Sequence, residues 1–128
     1  MNLDSNVVGP GLLLCMFVMS GINKMLTFDK TVKNVQGKLN VTETISKLGV
    51  YLVILLEILA PLIIMYYIIF DKYKTYALYS VFGLIIFTIV VTMIYHPPKI
   101  NYYDSIAFWA NVSLLGGLLL LKSRLTIN

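Results

Sequence analysis

The chain has 128 residues, 59% of them hydrophobic and 12% charged, with a mean hydropathy of +0.84. That balance excludes a soluble domain of this size and points to an integral membrane protein of one domain, residues 1–128. The net charge of +4 sits between apolar runs, where lysines meet lipid head groups. No basic run with interleaved aromatics is present, so nucleic acid is not an expected partner.

Taken in order, the chain predicts an all-α membrane fold, an antiparallel bundle of four transmembrane helices. The spans are about 7–26, 48–70, 76–95 and 103–121, with a short interfacial amphipathic helix in the connection 27–47. The first run carries Gly9-Pro10-Gly11 at its entrance, where proline is tolerated because first-turn amides have no helical partner. No Lys or Arg precedes it and no small-residue cleavage site follows, so it is expected to be retained as a span. Near its other end Ser20, Asn23 and Lys24 share a helical face. Cys15, the single cysteine, cannot form an internal disulfide, a CxxC pair or a thiolate cluster, and reads as a small hydrophobe.

In the connection, Phe28, Val32, Val35 and Leu39 recur at helical spacing among Lys30, Lys33 and Lys38, with an expected interruption at Gly37. Asn40 followed by Glu43 resembles a capping box at the start of the next helix.

The second span is the longest apolar run and holds one acid, Glu57, at mid-depth, where a carboxylate is costly and rare. Pro61, four residues on, has no N–H to give, so the Glu57 carbonyl loses its helical partner. One position thus presents both a side-chain acid and a freed backbone acceptor. The turn 71–75 permits only an antiparallel return. The third span has no charge and places Thr88, Thr92, Tyr95 and His96 on one face until Pro97-Pro98 stops it. The fourth carries Asp104, Phe108 and Asn111 on one face, and a Ser113/Gly117 pair that allows close helix approach. Tyr66, Tyr67, Tyr73, Tyr76 and Tyr79 mark one membrane interface, and Tyr51, Tyr95, Tyr102 and Tyr103 the other.

Counted inward from the side of the two connections 27–47 and 96–103, Glu57 and Asn111 fall within about 3 Å in depth, with Ser20 and Thr92 shallower. The opposite half of each span is nearly pure Leu, Ile, Val, Phe and Tyr. The expectation is a polar pocket with Glu57 at its floor, the ligand-binding or proton-carrying site being Glu57, Asn111, Lys24, Ser20, Asn23, Thr92 and His96. For Glu57 two readings stand side by side: a proton carrier or ligand contact, or a structural acid that holds the helices together. Lys24 is a candidate counter-ion, although its position near the interface favours a stem that snorkels outward. Asn111 reads first as interhelical glue. His96 has no second histidine at ligand spacing, so no metal is expected.

The segments Ser20-Gly21-Ile22-Asn23-Lys24-Met25-Leu26-Thr27-Phe28-Asp29, Leu56-Glu57-Ile58 and Phe108-Trp109-Ala110-Asn111-Val112-Ser113-Leu114-Leu115-Gly116-Gly117 resemble the DoxX family of small four-helix membrane proteins. The resemblance implies association with membrane quinone or thiol oxidoreductase complexes and carries the family's polar positions onto Lys24, Glu57 and Asn111. A quinone cofactor is implied by the resemblance alone. The chain departs from the family in having Asp4 before the first span and no cysteine pair, which weakens an autonomous redox role.

Three functions follow as alternatives: a DoxX-like accessory or subunit of a membrane redox system, a small proton-coupled transporter, and a structural or assembly protein without catalysis. No nucleophile–base pair, phosphate loop or metal constellation is seen, so a stand-alone hydrolase or transferase is the least favoured class, and whether the chain is an enzyme stays open. The expected partners are the lipid bilayer and a membrane protein or second copy. Both termini share one side; the basic residues of the connections favour placing those inside, whereas the family resemblance favours cytoplasmic termini, which is the orientation adopted.

Overall fold

The computed structural model describes residues 5–95 and 102–127, and the described residues are wholly helical apart from short connections. Five helices follow one another: α1 (Ser5–Leu26), α2 (Phe28–Leu39), α3 (Glu43–Phe70), α4 (Lys74–Tyr95) and α5 (Tyr102–Ile127). Three of them, α1, α3 and α4, are long and apolar enough to cross a membrane. Their outward faces carry exposed Leu12, Leu52, Leu62 and Ile86, which only a lipid environment accommodates in this number. The fourth expected span corresponds to α5, which is not one of these three.

Helix α3 is the central element, packing most extensively on α1 and α4 and also against α2. Gly21 of α1 lies against Ile58 and Gly11 against Met65, so α1 runs antiparallel to α3. The connection between Phe70 and Lys74 returns α4 alongside α3. Helix α5 packs mainly on α4 and touches α1, with Gly117 against Leu13. The main core lies among α1, α3, α4 and α5 around Leu14, Ile64, Leu84 and Leu118.

Several boundaries differ from the sequence-based expectation. Helix α1 begins at Ser5, so Pro10 lies inside it and not in its first turn. The carbonyl that Pro10 deprives of a helical partner is that of Asn6, and Arg124 of α5 donates to it at 2.6 Å. Helix α2 runs through Gly37 without a break to Leu39, and Asn40 caps its end in the left-handed region, φ 55°, a conformation asparagine tolerates. The N-cap of α3 is therefore Thr42, whose hydroxyl accepts from the Ile45 amide at 3.4 Å, and no Asn40/Glu43 capping box forms. Helix α3 starts five residues before the expected span, which leaves Glu57 near the middle of 28 residues.

Helix α2 spends its apolar stripe on α3. Val32 is buried with Val50 and Ile54, flanked by Phe28, Val35 and Ile58, and the Phe28 and Tyr51 rings lie 4.8 Å apart. The buried Ser46 hydroxyl donates to the Val32 carbonyl at 2.6 Å, a bond between two elements that sequence spacing does not reveal. At the far end of α2 the Lys38 ammonium lies 5.9 Å from the centre of the Tyr95 ring.

Ser46→Ala removes this hydroxyl bond and is expected to loosen α2 by about 1 kcal/mol, the usual net contribution of one such bond. Amide exchange of α2 in micelles reads the change; protection equal to wild type would show that apolar packing alone holds the helix.

Candidate functional site

The site forms where α1 and α3 approach most closely. Gly21 makes that approach possible: a Cβ there would lie 2.8 Å from Ile58 Cγ1 and 3.2 Å from Glu57 Cβ. With no side chain in the way, the next turn of α1 brings Lys24 over Glu57. The Lys24 ammonium donates to Glu57 Oε1 at 2.6 Å and to Ser20 Oγ at 2.7 Å. Ser20 and Lys24 are one helical turn apart, so both face the carboxylate from α1.

Burial is uneven across the pair. The Glu57 side chain is 1% exposed and that of Lys24 26%. The carboxylate is thus enclosed and the cation forms its accessible cap. The lysine stem reaches inward to the acid instead of outward to the interface, contrary to the snorkelling expectation, because an unpaired carboxylate at this depth costs far more than a bent stem. Charge-assisted bonds of this length are the strong kind, and two of them converge on one ammonium.

The remaining expected site residues divide. Thr88 and Thr92 are buried on α4, but each hydroxyl donates to a carbonyl of its own helix, Leu84 at 2.7 Å and Thr88 at 2.6 Å. Asn23 is exposed, and its carbonyl accepts from the Thr27 amide at 3.0 Å and the Thr27 hydroxyl at 2.9 Å. Asn111 is half-buried on α5, and among the described residues no hydrogen bond links it or Thr92 to the pair. His96 lies outside the described residues. Glu57, Lys24 and Ser20 are therefore the three that the fold brings together. Gly21 completes them; its signal in the sequence is the absence of a side chain one residue after Ser20.

Two open concavities, of about 420 and 330 Å3, lie between α3 and α4. Leucines, isoleucine and tyrosines line them almost entirely, and none of the expected site residues takes part. Among the described residues no group of three or more His, Cys, Asp or Glu side chains could hold a metal ion. Cys15 is exposed on α1, where it was expected to be a small buried hydrophobe.

The segment holding this ion pair also decides the family. Residues 5–101 match the family model of the methylamine utilisation protein MauE. The chain belongs to the MauE family. The match takes in α1 to α4 and with them Ser20, Gly21, Lys24 and Glu57, while Asn111 lies beyond it. No curated protein and no solved structure matches the chain. The assignment overturns the resemblance to DoxX proteins. A Ser-Gly close approach, a lysine one turn on and a buried acid in the next span are what tight helix packing around one ion pair demands, so these short motifs do not separate one small membrane family from another. The quinone rested on that resemblance alone and loses that support. Three apolar helices and MauE membership together make this a multi-pass membrane protein.

The pair can be tested as a unit. Lys24→Met strands a buried carboxylate and is expected to cost about 3 kcal/mol, the low end for an uncompensated buried charge because the cation is partly exposed. Lys24→Met combined with Glu57→Met should recover most of that loss. Unfolding in denaturing detergent provides the double-mutant cycle, and additive losses would show that the two side chains do not depend on each other.

Proposed function

We propose that this MauE-family chain is an accessory protein of a membrane-linked redox system, one that assists a partner and does not itself carry the chemistry. The observation that carries this reading is the closed state of the ion pair. Glu57 is enclosed, its Oε1 is occupied by Lys24, and Lys24 is shared with Ser20. Such a group fixes the seating of α1 on α3 and, with the carboxylate 1% exposed, commits the acid to its own chain. The family description names methylamine utilisation; methylamine is a fully reduced one-carbon amine whose use as a fuel is oxidative, which supports the redox association. In this reading the partner docks on the apolar outer surface, and the rigid α1–α3 unit presents that surface in one shape.

The chain crosses the membrane four times in the proposed topology, with α5 as the fourth crossing of an antiparallel bundle and both termini cytoplasmic. The Arg124 bond to the Asn6 carbonyl supports termini on one side, since it joins the start of α1 to the end of α5. A fluorescent protein fused after Asn128 should fold and fluoresce, whereas an alkaline phosphatase fused at the same place should be inactive. The reverse pattern would invert the topology.

A tagged chain purified from its own membranes after mild crosslinking is expected to bring down a redox enzyme subunit, and deleting its gene should lower that enzyme's membrane activity. Recovery of the chain without any redox protein, with unchanged activity on deletion, rules the proposal out. A buried carboxylate also favours proton-coupled transport as the alternative; proteoliposomes that take up a solute in response to a pH gradient, and lose this with Glu57→Gln, would establish it instead.

A further inference from the structure

Helix α3 has 28 residues, about 42 Å at the helical rise and longer than a hydrocarbon core of ~30 Å. With Glu57 near its middle, the excess falls on both ends, and its first turns stand among head groups. Helix α2 is fastened to those turns. The Ser46 hydroxyl donates to the Val32 carbonyl, Val50 packs with Val32, and the Tyr51 ring lies beside Phe28. At its other end α2 meets Tyr95 of α4 through Lys38. Both rings belong to the tyrosines that mark this interface. The fold thus holds α2 at head-group depth.

The two faces of α2 differ in what they are free to touch. Phe28, Val32 and Val35 are committed to α3. Lys30, Lys33 and Gly37 lie on the opposite face by helical spacing, and all three are exposed. A Cβ at Gly37 would meet nothing within 4 Å, so the middle of that face is open. Two other lysines near this side are already neutralised, Lys24 by Glu57 and Lys47 by Glu43 at 3.3 Å. Among the described residues neither Lys30 nor Lys33 has an ion-pair or hydrogen-bond partner. Asp29, the acid of α2, sits in its first turn, where the helix dipole favours it. The helix as a whole carries three lysines against that one acid.

We infer that the outward face of α2 binds acidic phospholipid head groups of the adjoining leaflet, with Lys30 and Lys33 meeting their phosphates. Depth supplies the partner, since a cation held at this level has head groups beside it. Charge selects among them, because each lysine near the surface favours an acidic head group over a zwitterionic one. An interfacial helix ordinarily adds the burial of its apolar face in the acyl boundary to that attraction. Here the apolar stripe is spent on α3. The attachment is therefore electrostatic and shallow, governed by head-group charge and salt and indifferent to the acyl chains. The site uses none of the ion-pair residues and does not depend on the accessory reading.

A nitroxide label on Gly37→Cys, in a Cys15→Ser background of the full-length chain, reports on the middle of this face. The protein is reconstituted into nanodiscs of phosphatidylcholine with and without phosphatidylglycerol, and accessibility of the label to a neutral nickel chelate is read by electron paramagnetic resonance. Phosphatidylglycerol should lower that accessibility by about half or more. Raising NaCl from about 0.1 to about 1 M, which shortens the Debye length from ~10 to ~3 Å, should restore it. Lys30→Gln with Lys33→Gln should abolish the difference between the two lipids at unchanged helical content by circular dichroism. Asn34→Cys carries the label if Gly37→Cys lowers that content. Equal accessibility in both lipids, or protection that persists in the double glutamine variant, overturns the site. Protection that salt does not reverse would show apolar insertion and overturn it as well. A label protected in native membrane vesicles but not in phosphatidylglycerol nanodiscs would give the face to an acidic protein instead.

Discussion

A carboxylate enclosed halfway along a membrane-spanning helix must find a cation or proton within reach, and the bond between Lys24 and Glu57 is this protein's answer. In hydrocarbon the alternative is an isolated charge with several kcal/mol of uncompensated desolvation. That penalty dictates more than one side-chain rotamer. Helix α1 has to approach α3 closely enough for a lysine near its end to reach inward. The position one turn earlier must then be glycine, since even a methyl group would meet Ile58 and the stem of Glu57. Ser20 holds the ammonium from the other side. The relative height of the two helices is thereby set by three consecutive requirements of one ion pair.

The prolines follow a related logic. Each removes a helical N–H and leaves a carbonyl four residues earlier without its partner. For Pro10 that carbonyl belongs to Asn6, and Arg124 supplies the missing donor from α5. A local defect in α1 becomes a tie between the two ends of the chain, and the arginine also sits in the last turn of α5, where a cation complements the helix dipole. For Pro61 the freed carbonyl is that of Glu57, so the acid and the backbone defect coincide in the most buried stretch of α3. Both prolines lie inside helices that continue past them, and at Pro10 a neighbouring helix supplies the donor that the backbone loses.

Apolar runs near twenty residues long were legible as spans from composition, and Glu57 stood out as the acid at mid-depth within them. The direction of Lys24 was not legible. Its sequence position suits an outward stem equally well, and only the height of α1 against α3 decides between the two. Thr92 and Asn111 were expected beside the acid because depth along each helix can be counted, whereas rotation about each helix axis cannot. Thr92 turns out to satisfy its own helix. The Ser46 bond to the Val32 carbonyl was invisible for the same reason: a serine in the first turn of a helix carries no mark of the neighbour it will meet. Gly37 reads as a breaker in isolation, yet α2 continues through it since its apolar stripe is already anchored by Val32 and Val35 against α3. The family was misread on short motifs that the ion pair itself requires.

The polar and the lipid-facing halves of the molecule divide their tasks by chemistry. On the side of the α2 connection, the inward-facing polar groups are consumed internally, Lys24 by Glu57 and Ser20, Ser46 by Val32, while the lysines Lys30, Lys33 and Lys38 of α2 stay exposed. The satisfied inward bonds hold α1 and α2 on α3. On the other side the tyrosines of the α3–α4 connection pack against one another as tilted rings and remain largely exposed. Exposed rings with a polar edge gain from partners that are apolar along their length and polar at one end. The two ends of α3 thus differ in what they leave exposed: rings with polar edges at one, and at the other a carboxylate enclosed by its own cation.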